Sequence, residues 1–263
     1  MRLDQALVAR GLARSRAVAA ELVQGGRVRV DGAVAHKASI RVGADTGVEV
    51  EGAPERWVGR AAYKLVAALE AFPIDPSGAG CIDVGASTGG FTQVLLTAGA
   101  RHVVALDVGH DQLAPVVAED PRVTEMSGQN VRDLDPERVG GPADIVVADL
   151  SFISLRLVLD TLARFTAPGG DLVTLVKPQF EVGRERLGRT GVVISAQQHA
   201  EVVRTVIEHA RAATLHVHGL LRSPVVGGTG NTEYLMWARH AAAGKMTDVS
   251  IDEFVSAVAG EQR

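Results

Sequence analysis

The strongest constraint on how this chain folds is a regular alternation that begins at residue 80. Short apolar runs (CIDVG, HVVALDV, VTEMS, DIVVADLS and DLVTLVKP) are separated by segments of helical pattern. Such alternation requires crossover connections, and it predicts a doubly wound α/β domain with a mostly parallel sheet. Two further runs, LHVHGLL and YLMWARH, are separated only by the loop SPVVGGTGN. With no room for a crossover helix, they are expected to form an antiparallel hairpin at the sheet edge. One of the buried strands ends in an ammonium group, Lys177, followed at once by Pro178. A charge at the tip of a buried strand needs a chemical reason.

Composition narrows the partners. The 263 residues carry a net charge of −4, which excludes a uniformly basic surface but not a local basic patch. Charge is unevenly spread: residues 1–41 hold eight Lys or Arg against three Asp or Glu. Cys81 is the only cysteine, so neither an internal disulfide nor a cysteine-built zinc site is expected, and no metal is called for. The N-terminal stretch lacks a charged segment followed by a long apolar one, and no uncharged apolar run of about 18 residues occurs. These features predict a cytoplasmic protein without a membrane span; they do not fix the oligomeric state, for which a monomer is favoured.

The expected organisation is a small α+β module over 1–52, a linker over 53–58, a large domain over 59–245 and a C-terminal helix or tail over 246–263. Trp57 is available to pack between the domains. In the first module, Gly11 ends one helix, Ser15 caps a second, Gly25-Gly26 closes it and Asp31-Gly32 turns a hairpin. Arg10, Arg14 and Arg16 flank the break between helices, while Arg27 and Arg29 alternate with Val28 and Val30 and share one face. They are read as a phosphate-binding surface, against the simpler reading of a solvated charged face. The segment RLDQALVARGLARSRAVAAELVQGGRVRVDG resembles the small RNA-binding domain first known in ribosomal protein S-four, and that resemblance implies RNA as partner.

After the first strand of the large domain comes Asp83-Val84-Gly85-Ala86-Ser87-Thr88-Gly89-Gly90-Phe91. Its glycines are wrongly spaced for a dinucleotide fingerprint. Gly85 to Gly89 does satisfy G-x-S-x-G, the hydrolase elbow. That elbow normally follows several strands of its sheet, however, and neither an HGGG-type segment nor a distinguished late histidine accompanies Ser87. A nucleoside cofactor pocket accounts for more. Small residues admit the backbone to a bulky ligand, and Asp107, 24 residues beyond Asp83, ends the next strand where ribose hydroxyls are held. Asn130 and Val131, beyond the third strand, are expected to cradle an adenine ring.

Asp149 and Lys177 end adjacent strands, Glu233 opens the last, antiparallel strand on the same edge, and Lys64 lies on the helix entering the domain. Any one of these could be a rim salt bridge, but four beside a cofactor loop form a site. A ribose hydroxyl attacks a sulfonium methyl only if its proton is taken up or its alkoxide stabilised, which a partly desolvated lysine beside carboxylates can do.

The order Lys64, Asp149, Lys177, Glu233 is similar to the Lys-Asp-Lys-Glu tetrad of FtsJ-like ribose 2′-O-methyltransferases. With GASTGGFT, VVADLSFISL, LVKPQFEVG and GNTEYLMW, the chain resembles the TlyA family over almost its full length. The resemblance implies a Rossmann-like class I methyltransferase fold with a seven-stranded sheet, S-adenosyl-L-methionine as cofactor, and transfer to cytidine 2′-hydroxyls of 16S and probably 23S rRNA in ribosomal subunits. By the same carry-over Lys177 is the catalytic lysine, Asp149 and Glu233 its electrostatic partners, and Lys64 a substrate-orienting group; Asp149 also borders the cofactor. Phe152 is expected to stack on a flipped base or the cofactor, and Arg184, Arg186 and Arg189 to form a mobile RNA-contacting loop. Two other classes stand beside this reading. One is a non-catalytic RNA-binding or ribosome-assembly factor, against which the four retained polar tips argue. The other is a membrane-lytic protein, suggested only by the family's haemolysin label.

Overall fold

The computed structural model describes residues 1–13, 16–52, 56–241 and 244–260. The chain divides into two compact units, Met1–Arg56 and Trp57–Arg263. The first contains α1 (Leu3–Ala9), α2 (Arg16–Gln24), β1 (Val28–Val30), β2 (Ala33–Val34) and β3 (Val48–Val50). Leu3, Ala6 and Leu7 of α1 recur on one face and pack with Ala19, Leu22, Val23 and Val28. Gly11 and Gly26 leave their helices with positive φ, and Asp31 (φ 49°) with Gly32 (φ 80°) makes the mirror-image turn that joins β1 to β2. Arg14, Ser15 and the linker residues Ala53, Pro54 and Glu55 lie outside the described residues.

The second unit is built from α3 (Ala62–Ala71), β4 (Gly80–Val84), α4 (Gly90–Thr97), β5 (His102–Leu106), α5 (Pro115–Ala118), β6 (Val123–Met126), β7 (Ala143–Ala148), α6 (Leu159–Phe165), β8 (Thr166–Val176), α7 (Pro178–Glu181), α8 (Ala196–Ala212), β9 (Leu215–Arg222), β10 (Tyr234–His240) and α9 (Asp248–Gly260). Its sheet runs β6-β5-β4-β7-β8-β10-β9, seven strands among the described residues. Parallel pairs run from β6 to β8, and antiparallel pairs join β8 to β10 and β10 to β9. The alternation legible from residue 80 thus resolves into a doubly wound sheet closed by a hairpin.

Helices cover both faces, which is why strands such as Ile145–Ala148 and Leu172–Val176 are buried throughout. One layer packs α6, α8 and α9 on the sheet and the other packs α3 and α4. Trp57 lies in the second unit's core with Leu65 and Phe91. The C-terminal segment, expected as a helix or tail, forms α9 and buries Ile251, Val255 and Val258 in the other layer. It is further tied to α8 through Arg204–Asp252 (2.6 Å) and Arg211–Asp248 (2.5 Å).

The edge hairpin carries one tight constraint. Pairing slips between Trp237 and Ala238, opposite Gly219, and Phe72 stacks on Trp237 with ring centres 5.6 Å apart. A Cβ on Gly219 would stand 2.5 Å from the Phe72 ring. Gly219→Ala is therefore expected to cost about 1–3 kcal/mol by overpacking; an unchanged urea midpoint would contradict it.

Candidate active site

The register of the sheet assembles the site. Ala148 pairs with Thr174, so Asp149 and Lys177 emerge beyond neighbouring strand ends. Tyr234 pairs with Val176, so Glu233, immediately before β10, meets Lys177 on the same edge. Lys64 comes in from the first turns of α3. Pro178 gives up no needed amide, because it occupies the first position of α7 with Lys177 as its N-cap.

The four side chains form one connected cluster. Lys177 Nζ lies 2.6 Å from Asp149 Oδ1, and Lys64 Nζ lies 3.3 Å from Asp149 Oδ2 and 2.6 Å from Glu233 Oε2. Lys64 (6% exposed), Lys177 (7%) and Glu233 (2%) are all buried. Two ammonium groups and two carboxylates cancel, which is the condition for holding charges out of water. Three further residues complete the arrangement. Lys177 donates to Ser151 Oγ at 3.0 Å, Gln179 Nε2 donates to Glu233 Oε1 at 3.3 Å, and Phe180 sets its ring 5.9 Å from Lys177 Nζ. Sequence reasoning missed all three, although each lies within two or three residues of a predicted one.

The cluster floors a cleft of about 760 Å³ whose walls include Arg60, Phe152, Phe180, Arg184, Leu187, Val226 and Thr229. Phe152 is 93% exposed, takes a left-handed conformation (φ 63°) and packs against Phe180 at 5.4 Å. A bulky residue in that region is strained and needs outside support. Buried Glu181 supplies it by accepting from Ser154 Oγ (2.6 Å), Leu155 N (2.5 Å) and Arg156 Nε (3.0 Å). An aromatic face held out to solvent above a charged floor suits a planar base.

The glycine loop lies beside the cluster. Gly85 (φ 84°) approaches so closely that a Cβ would stand 2.9 Å from the Asp149 carbonyl. Gly89 starts α4 with positive φ, where a Cβ would meet Val117 at 2.8 Å, and Gly90 packs on Ala62. Ala86 is buried and Thr88 is exposed. Asp107 accepts from the amides of Ser87 and Gly109, each at 2.8 Å, so it also shapes the loop. Asp83 accepts twice from Thr92, at 2.8 and 2.7 Å, and its other oxygen is buried without a partner.

Some expected ligand residues turn elsewhere. Phe91 belongs to the core beneath α4 rather than the cofactor pocket, because the apolar face of α4 must cover the sheet. Val131 likewise sends its side chain into the opposite core layer, and Asn130 caps the turn after it by accepting from Arg132 N at 3.1 Å. The backbone at 130–131 and the exposed Asn130 side chain remain for a ring to rest on.

The basic surface of the first unit is more committed than expected. Arg10 donates to the carbonyls of Gly43, Ala44 and Thr46, and Arg16 reaches Asp4 at 3.0 Å. Arg2 and Arg16 together hold the Asp4 carboxyl down to about 2. Arg27 donates to the Glu51 carbonyl, and Arg29 pairs with the Glu51 carboxylate. These guanidinium groups lie on the surface but also close loops, because a module this small uses side-chain bonds where its core is short. In the predicted arginine loop, Arg186 is paired with Glu201 at 2.6 Å, Arg184 lines the cleft, and Arg189 is exposed.

A sheet of this order, a glycine loop at its carboxyl edge and a Lys-Asp-Lys-Glu cluster beside it define a class I methyltransferase-type domain. Residues 57–240 match the FtsJ-like methyltransferase family and residues 1–48 match the S4 domain. The chain therefore belongs to the FtsJ-like methyltransferase family, with an S4 domain in front. It is 51% identical over 239 residues to the 16S/23S rRNA (cytidine-2′-O)-methyltransferase TlyA of Mycobacterium tuberculosis, covering 90% of this chain and 89% of that one. It is 32% identical to Hemolysin A of Brachyspira hyodysenteriae, covering 89% and 98%. A solved chain from Streptococcus thermophilus, titled as a candidate hemolysin, superposes with a TM-score of 0.79 at 37% identity, over 99% of this chain and 96% of that one.

Burial pushes the Asp83 carboxyl up to about 7. A raised acid value means that the folded state holds the proton more tightly than the unfolded one. The associated stability is complete below the ordinary 3.8 and is lost as pH rises through about 7. Asp83→Asn should remove that component, so the gap between wild-type and variant unfolding free energies should change between about pH 4 and 7. Parallel pH profiles would refute the assignment.

Proposed function

We propose that this chain is an S-adenosylmethionine-dependent methyltransferase that modifies the 2′-hydroxyl of cytidine in ribosomal RNA of the small and the large subunit, in the cytoplasm where subunits assemble. The observation that carries the reading is the buried, charge-balanced cluster of Lys64, Asp149, Lys177 and Glu233 opening into a cleft with an aromatic lip. The name of the Mycobacterium tuberculosis relative supports the choice of cytidine and of both subunits.

The glycine loop fits a nucleoside cofactor. Its close approach at Gly85 admits no side chain, Asp107 stands at the tip of β5, and Asp83 keeps a buried oxygen free of partners. Gly85, Ser87, Thr88 and Asp107 would hold the group, with the backbone of Asn130 and Val131 beside its base. When bound, S-adenosylmethionine supplies an electrophilic methyl group on a sulfonium sulfur.

Lys177, once its amine has released its resting proton to solvent, would take the hydroxyl proton as the ribose oxygen gains the methyl group and the methyl–sulfur bond breaks to leave a neutral thioether. Asp149 orients Lys177 through their 2.6 Å contact and offers its other oxygen to Lys64. Lys64, pinned between Asp149 and Glu233, fixes the spacing of the cluster and orients the ribose. Phe152 and Phe180 receive the base, and Arg184 meets the backbone phosphates at the cleft mouth.

Incubation with labelled S-adenosylmethionine and undermethylated subunits, followed by mapping of ribose methylation, tests the proposal; no transfer to either subunit would overturn it. Lys177→Ala should bind cofactor normally yet lose transfer by about 10²–10⁴-fold. Arg184→Gln should weaken RNA binding while cofactor affinity stays unchanged, and equal RNA affinity would reject its phosphate role.

A further inference from the structure

Two loops wall the cleft, one from Gly183 to Val193 and the other from Pro224 to Gly230, and a single buried side chain joins them. Asn231 is fully buried. Its Oδ1 accepts from Val193 N at 2.9 Å, and its Nδ2 donates to Gly191 O at 2.9 Å and to Thr229 Oγ1 at 2.8 Å. Its own carbonyl accepts from Gly227 N at 2.8 Å. The amide orientation is dictated by its partners, since an N–H needs an acceptor and a carbonyl needs a donor.

Each contact lands on a loop that lines the cleft or turns beside it. Gly191 lies seven residues beyond Arg184, and Gly227 packs so tightly on Glu233 that a Cβ would stand 2.6 Å from its carboxylate. The far side of Val193 is held as well: its carbonyl accepts from His199 Nε2 at 2.8 Å, which leaves Nδ1 to accept from the Tyr234 hydroxyl at 3.1 Å. Asn231 and Tyr234 thus bracket Glu233 and both act on the arginine loop.

We infer that Asn231 is a positioning residue for the RNA substrate: its carboxamide ties the arginine loop to the loop over Glu233, setting the two cleft walls at the separation that admits a nucleotide. It touches no reacting atom. Its loss releases both walls together and leaves the Lys64–Asp149–Lys177 contacts in place. The inference rests on the proposed ribosomal RNA substrate.

Two readouts test it, one of them independent of activity. Asn231→Ala should raise KM for undermethylated subunits by about tenfold or more, because small misplacements of a positioning element are costly. Turnover at saturation should change far less, cofactor affinity should not change, and hydrogen exchange should accelerate across residues 187–193. Should that variant not fold, Thr229→Val removes one acceptor of the same carboxamide and should raise KM and accelerate exchange across 187–193 in the same direction, by less. A loss of kcat at constant KM would overturn the inference by placing Asn231 in the charged cluster, and unchanged KM and exchange in Asn231→Ala or Thr229→Val would overturn it outright. Absence of transfer by the wild-type chain would instead sink the substrate assignment, while the exchange measurement still decides whether the tie exists.

Discussion

Burying two lysines and two carboxylates is tolerable only if every charge meets an opposite one, and the large unit is organised around that demand. Removing any one of the four would strand a charge in a place with little water. The sheet order β4-β7-β8-β10 is what makes the pairing possible. It brings Asp149, Lys177 and Glu233 to one edge from three strands, and α3 lays Lys64 across them. The antiparallel direction of β10 is essential, because only its beginning, not its end, lies at that edge.

From the cluster outward, the surroundings serve to hold exposed groups in chosen places. The four-residue helix α7 has Lys177 as its N-cap, Phe180 as its third residue and Glu181 at its end. Glu181 anchors the segment that presents Phe152 in a left-handed conformation, so Lys177 and the aromatic lip share one short support. The glycine loop is held in a similar way by carboxylates that accept backbone amides, Asp107 from Ser87 and Asp83 from Thr92.

Residues at strand tips are readable in the sequence because the topology of a doubly wound sheet gives their positions a meaning. Lys177 after the buried run of β8 and Asp107 at the end of β5 are legible for that reason. Phe91 and Val131 show the limit of the same logic. Both lie within loop motifs, yet their side chains turn inward, since the neighbouring core needed apolar cover more than a pocket needed a wall. The arginines of the first unit illustrate another limit. Spacing put Arg27 and Arg29 on one face, and both do reach toward Glu51, but spacing carries no information about the acceptors waiting there.

By itself, then, the amino-acid order determined the alternation of strands and helices, the hairpin at the edge, the Asp31-Gly32 turn and the four polar tips. Each follows from local periodicity or local stereochemistry. Only the tertiary structure decided which oxygen of Asp149 meets which lysine, that Gln179, Phe180 and Ser151 join the site, and that Asn231 links two loops separated by more than thirty residues. Those are contacts between chain segments far apart in sequence, and their geometry is set by packing of the whole domain, which no short window of residues contains.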